Sequence, residues 1–159
     1  REVADFTDNS IASVKSSLHR GRNQLKEAAA TLIEDQQVSL SQEEKDKLSL
    51  YARHFNAHDF DSLRDMLSSE VKLELVSVIK QEGKAKVSNY YSNYSKASDW
   101  LMAPGLVEGN PALLVFDRDD ASQPPHYFIL INFSSDGLIK IRDFRYARYA
   151  IGDAQWQRV

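Results

Sequence analysis

From Trp100 onward the chain is written in short apolar runs, "WLMAPGLV", "PALLVFD", "HYFILINF" and "GLIKIRDFRYARY". Runs of this length, separated by polar or Gly-bearing connections, predict successive strands. "SSDG" predicts a tight hairpin between the last two, with Asp136-Gly137 at the turn. "RDDASQPP", Arg118 to Pro125, reads as a polar loop. Before Trp100 the spacing is helical. "SQEEKDKLSLYARHFNAHD" opens on a Ser cap followed by acids, and Leu48, Tyr51, Ala52 and Phe55 make its inner face. "FDSLRDMLSS" predicts a second, short helix with Phe60, Leu63 and Leu67 inward. "GKAKVSNYYSNYSKAS" predicts a third, with Val87, Tyr90, Tyr91 and Tyr94 inward. Between these two, "VKLELVSVI" alternates and predicts one strand. This order dictates an α+β fold: three helices packed on a curved, mainly antiparallel sheet over residues 41–159.

The rest of the chain is a different object. The whole chain, 159 residues and 42% hydrophobic, suits one ordinary domain with an appendage. There is no cysteine, which excludes disulfides and thiolate metal sites and is compatible with a reducing cytoplasm. No apolar run reaches membrane-spanning length and no signal-peptide pattern opens the chain, so a cytoplasmic protein without a membrane partner is expected. Residues 1–26 hold Arg1, Lys15, Arg20, Arg22 and Lys26 against Glu2, Asp5 and Asp8, a balance of +2. The whole chain carries −3, so the remainder carries −5. A basic head on an acidic body points to two jobs.

The head reads as helix-turn-helix. "REVADF" is a short helical piece, "TDNS" a turn, and Ser10 an N-cap for the helix that follows. On that helix Ile11, Val14, Leu18 and Leu25 share one face, and Lys15, His19, Arg22 and Lys26 form a separate basic stripe. Such a second helix can enter the major groove and read bases with its first turns. The helix is expected to run on through "KEAAATL", with "IEDQQVSL", residues 33–40, as the linker.

The head resembles a known family. "EVADFTDNSIASVKSSLHRGRNQL" is similar to the end of region four of extracytoplasmic-function sigma factors. The matching positions are Glu2, Val3, Ala4, Ser10, Ser13, Val14, Lys15, Ser16, Leu18, Arg20, Gly21, Arg22 and Leu25. Ser17 departs from the arginine the family often carries. The resemblance implies promoter recognition through Ser13, Lys15, Ser16, Arg20 and Arg22. It also implies two or three further helices upstream of Arg1. The chain, which begins without a methionine, is accordingly expected to be the C-terminal part of a longer sigma factor, with residues 1–32 a truncated helix-turn-helix. Its implied partners are core RNA polymerase, promoter DNA and the sigma factor's own other domains.

The body resembles the SnoaL-like group of the nuclear transport factor superfamily over about residues 41–148. The anchors are "YARHFNAHDFDSLRDMLSSEVKLEL", "GKAKVSNYYSNY" and "GLIKIRDFRYARY". The pairing of region four with a SnoaL-like tail is itself known among these sigma factors, and implies a cone that regulates the sigma factor in cis. Alternative roles are a small-molecule or catalytic pocket, and a homodimerisation module using the open sheet face.

An apolar pocket in such a cone would be lined by Tyr51, Tyr91, Trp100 and Asp143. By period two, Ile139, Ile141 and Asp143 share the inner face of the last strand. Enzymes of the group use an aspartate near this place as acid or base. Tyr51 falls where ketosteroid isomerases carry an oxyanion-stabilising tyrosine. Those isomerases, however, place a base near Leu75, and Glu74 points to the other face. The expectation is therefore no catalysis, with Asp143 paired to Arg145, Arg142 or Arg53 and Tyr51 packing. Arg142, Arg145 and Arg148 alternate as along a strand edge. His54 and His58 have zinc-compatible spacing but Phe55 between them and no third ligand, and are expected at the surface. No metal or cofactor is called for.

Overall fold

The computed structural model describes the backbone of residues 10–34 and 40–159, and the side chains of residues 10–24 and 40–159. The predicted helical piece at residues 1–6, most of the turn after it and most of the predicted linker lie outside the described residues. The chain divides into two units, Arg1–Val38 and Ser39–Val159.

In the first unit, α1 (Ile11–Glu34) is one uninterrupted helix of 24 residues. Ser10 is its cap: Ser13 N–H donates to the Ser10 hydroxyl at 3.1 Å. Helix therefore continues over Ile33 and Glu34, two residues into the expected linker.

The second unit starts with α2 (Gln42–Asn56), fixed by a reciprocal capping box. Glu44 N–H donates to the Ser41 hydroxyl, and Ser41 N–H to the Glu44 carboxylate. Asp59 caps α3 (Phe60–Asp65) by accepting from Ser62 N–H. α4 (Lys84–Tyr94) presents Val87, Tyr90, Tyr91 and Tyr94 inward, as its spacing predicts. The strands are β1 (Leu67–Leu75), β2 (Ile79–Glu82), β3 (Trp100–Val107), β4 (Asn110–Asp117), β5 (Tyr127–Ser134) and β6 (Gly137–Asp143). A short α5 (Tyr149–Asp153) and β7 (Trp156–Arg158) follow. They form one seven-stranded sheet, in the order β2-β1-β6-β5-β4-β3-β7, antiparallel except for the β1–β6 pair. The α+β cone expected from the order of elements is present.

The two sheet faces bury different things. Helices α2, α3 and α4 close the main core, in which Leu48, Tyr51, Phe55, Leu63, Tyr91 and Ile141 are fully buried or nearly so. A second cluster of Val107, Ala112, Leu114, Phe116 and Phe128 packs with Ala150, Ile151 and Ala154 of the C-terminal segment.

Four local expectations are corrected. "VKLELVSVI" is not one strand: β1 begins at Leu67 and turns back into β2, with Ser77 at φ 70° in the turn. A hydrophobic run long enough for one strand cannot reveal that its end folds back on its start. The last strand stops at Asp143 rather than running to Tyr149, because the Asp143 carboxylate accepts Arg145 N–H and turns the chain. Only Arg142 of the three alternating arginines is thus on a strand. Third, Ile139 is exposed and Leu138 buried, the reverse of strict alternation. The β5–β6 register steps from Asn132↔Lys140 to Phe133↔Leu138, so Ile139 is the extra residue of a bulge. The bulge restores Ile141 and Asp143 to the inner face. Finally, Ser134 pairs with Gly137, so Ser135-Asp136 are the two loop residues of the hairpin. Gly137 is still required: its φ is +111°, and a Cβ there would lie 2.6 Å from the Met66 carbonyl oxygen.

Candidate functional site

The centre of the main core is a carboxylate surrounded by phenols. β6 carries Asp143 inward at its last position, fully buried. One helical turn of α4 brings Tyr90 and Tyr94 over it, since residues four apart share a face. Tyr94 OH donates to Asp143 Oδ2 at 2.8 Å, and Tyr90 OH to the same oxygen at 2.9 Å. Asp143 Oδ1 accepts Arg145 N–H at 2.8 Å. Tyr94 OH is also 3.2 Å from Tyr127 OH on β5. Alongside, Tyr51 OH and Tyr91 OH share a hydrogen bond of 2.8 Å.

These contacts correct the expected arginine partner. Arg142 turns to the other face and donates to Glu74 at 2.7 Å. Arg145 supplies its backbone N–H to Asp143, while its guanidinium lies 5.0 Å over the Tyr94 ring. Arg148 lies 5.5 Å over the Tyr127 ring. The phenols replace an arginine because a Tyr hydroxyl can reach a deep carboxylate without bringing a full charge into the core. The pattern that could have revealed this is Tyr90-x-x-x-Tyr94, read as donors rather than as apolar filling.

Burial pushes the Asp143 carboxyl above the usual aspartate range, against the opposing pull of Tyr94, the Arg145 N–H and Tyr90. Burial and then the nearby Asp143 charge push Tyr90 and Tyr94 well above the ordinary phenol value. Tyr127, for the same reasons, is pushed up to about 12. Burial is also the leading cause for Tyr51. At neutral pH all of these phenols are donors, not bases. The arrangement can hold a proton between carboxylate and phenol. To take one from a substrate it must first be uncovered, because Asp143 is fully buried beneath its own donors.

The four expected pocket residues are brought together, but as packing. Tyr51, Tyr91 and Trp100 belong to the main core. Trp100 Nε1 is buried without a hydrogen-bond partner among the described residues. Its ring stacks on His58 at 5.0 Å, and His58 sits at φ 57°. His54 is bonded to Asp59 at 2.9 Å, so the two histidines face separate partners. Among the described residues, no three His, Cys, Asp or Glu side chains gather as a metal would need. Phe144 lies in the other cluster, stacked on Phe128 at 4.2 Å. A hollow of about 660 Å³ that the sequence did not announce lies instead on the charged part of the sheet, beside β2.

On α1 the expected DNA contacts Ser13, Lys15, Ser16, Arg20 and Arg22 are all exposed. At 100° per residue, Ser13, Ser16 and Arg20 share one arc of the helix and Lys15 and Arg22 another. The apolar arc between is not covered in the way a core face is: Ile11 is 48% and Leu18 55% exposed. No described helix is long and apolar enough to cross a membrane.

No protein-family model matches the chain, and no curated protein matches it. Solved structures do. A de novo designed protein with a curved β-sheet is 17% identical and covers 72% of this chain and 98% of its own, with a TM-score of 0.51. A candidate polyketide cyclase from Xanthomonas campestris pv. campestris is 13% identical, covering 70% and 96%, with a TM-score of 0.49. SalBIII, an epoxide hydrolase/cyclase-like enzyme in pyran ring formation in the polyether salinomycin, is 16% identical, covering 73% and 92%, with a TM-score of 0.47. At such identities the likeness concerns the fold alone. The class defined by fold and site together is an α+β cone on a curved sheet whose central carboxylate is occupied by its own side chains.

Proposed function

We propose that this chain is the C-terminal portion of an extracytoplasmic-function sigma factor. In this reading α1 belongs to the promoter-binding helix-turn-helix, and the SnoaL-like cone regulates the sigma factor in cis through core polymerase or the sigma factor's other domains. The observation that carries the choice of regulation over catalysis is the state of Asp143: both oxygens are engaged by Tyr90, Tyr94 and the Arg145 N–H, in a fully buried position. A general base must lie within reach of the substrate proton, and a fully buried carboxylate covered by its own donors does not. Support for the head comes from α1, whose basic side chains are exposed and whose apolar arc is left for other helices to cover.

The test is transcription by core polymerase with the longer protein and with residues 41–159 deleted. Promoter output is expected to change, upward if the cone inhibits and downward if it assists. Unchanged output and unchanged polymerase affinity across several promoters sink the reading. In the same system Lys15→Ala and Arg20→Ala are expected to weaken promoter binding.

The raised Asp143 carboxyl beside phenols favours a second reading, in which the cone handles a small molecule by proton transfer. Turnover of an epoxide or ketone that vanishes in Asp143→Asn would establish it in place of the first.

A further inference from the structure

The hollow beside β2 carries a charge pattern that folding alone does not explain. Its walls include Lys72, Lys80, Lys86 and Lys140 against only Glu74 and Glu82. It is a basic depression on a body whose overall charge is negative. Both carboxylates are already engaged. Glu74 accepts from Arg142 at 2.7 Å and pairs with Lys80 at 3.4 Å, and Glu82 pairs with Lys72 at 3.6 Å.

Strand register makes the imbalance sharper. On β6, Lys140 has Lys72 of β1 as its neighbour on one side and Asn132 of β5 on the other. Like charges directly opposite on neighbouring strands cost stability. Among the described residues neither Lys140 nor Lys86 has an ion-pair partner. Lys86, in the first turn of α4, lines the same hollow. Three ammonium groups thus line one concave space, only Lys72 of them ion-paired, to Glu82, and a concave wall focuses their field.

We propose that this hollow is a binding site for a phosphorylated small molecule, held by Lys72, Lys86 and Lys140. Lysine acts as a point charge and suits phosphate oxygens without demanding the planar geometry that arginine reads. Three such groups match a multiply charged phosphoanhydride better than a single carboxylate. The volume, about 660 Å³, leaves room for an organic portion beyond the phosphates. Glu74 sets the strength of the site, because it withholds Arg142 and Lys80 from the ligand. The site is independent of Asp143 and of the regulatory reading.

Inorganic pyrophosphate is the probe, titrated into the whole chain at constant ionic strength and followed by amide and lysine NMR shifts. Saturable shifts are expected on β1, β2, β6 and the start of α4. Lys72→Gln with Lys140→Gln is expected to weaken binding about tenfold or more, and Glu74→Gln to tighten it. If the double variant does not fold, Lys86→Gln alone must weaken binding. Shifts spread over unrelated lysines such as Lys15, Lys45 and Lys47 would overturn the proposal. So would shifts that never saturate, or an affinity indifferent to these substitutions.

Discussion

Glu74 and Asp143 stand one register step apart, on neighbouring strands, and live in opposite worlds. Glu74 pairs in register with Arg142, and Leu75 with Asp143. Because successive side chains alternate faces, Glu74 looks onto the charged side of the sheet and Asp143 into the core. The Glu74 carboxyl is held below its usual value, first by the Arg142 hydrogen bond. The Asp143 carboxyl is pushed above its usual value by burial, even with three donors on it. Partner chemistry decides the first and loss of water the second. An outward carboxylate tunes a surface; an inward one organises a core.

The largest effect expected from breaking this contrast is Asp143→Ala. It removes the acceptor from Tyr90, Tyr94 and the Arg145 N–H together. Each stranded donor costs about 1–3 kcal/mol, offset in part by the buried charge that disappears, so about 2–4 kcal/mol of unfolding free energy is expected to go. Chemical denaturation measures it. A loss under about 1 kcal/mol would mean the phenols re-pair among themselves and that Asp143 does not organise the core.

The pH dependence sharpens the comparison by its signs. Asp143 binds its proton more tightly folded than unfolded. Its contribution is therefore full below the ordinary aspartate range and is lost as pH rises through its raised folded value. Glu74 does the reverse, contributing above the ordinary glutamate range and losing that contribution as pH falls through its lowered folded value. Asp143→Asn is expected to remove the first dependence and leave the second, read as the change in denaturation midpoint from neutral pH downward. A variant whose pH profile matches the parent's would refute the assignment.

Glu74→Gln is the smallest change. The pair is partly exposed, with side-chain exposures of 23% for Glu74 and 36% for Arg142. Screening by solvent holds its worth to under about 1 kcal/mol, against several times that for Asp143→Ala. Equal losses from the two substitutions would dissolve the distinction between the faces.

Helices were legible where capping chemistry and spacing agreed. Ser41 and Glu44 start α2, Ser10 starts α1, and Val87, Tyr90, Tyr91 and Tyr94 define the inner face of α4. β3 coincides with its apolar run from Trp100 to Val107. The β1–β2 turn, α5 and β7 were not legible, and neither was the partner of Asp143. β7 is three residues whose pairing to β3 depends on a neighbour some fifty residues away, so no local pattern announces it. At Gly105 the sequence shows only a glycine. The tertiary structure shows why: a Cβ there would come within 2.6 Å of the Gln157 carbonyl oxygen on β7.

By itself, the sequence determined the order of helices α1 to α4 and the presence of strands β3 to β6, because capping and hydrophobic period act over three or four neighbours. It also determined that Asp143 faces inward, although for an incomplete reason, since period two placed Ile139 inward with it. Only the tertiary structure decided what Asp143 meets, and that Lys72 and Lys140 stand side by side across a hollow. A bulge at one residue and the register between distant strands set those meetings. They are fixed by the packing of the whole sheet against its helices rather than by any short stretch of chain.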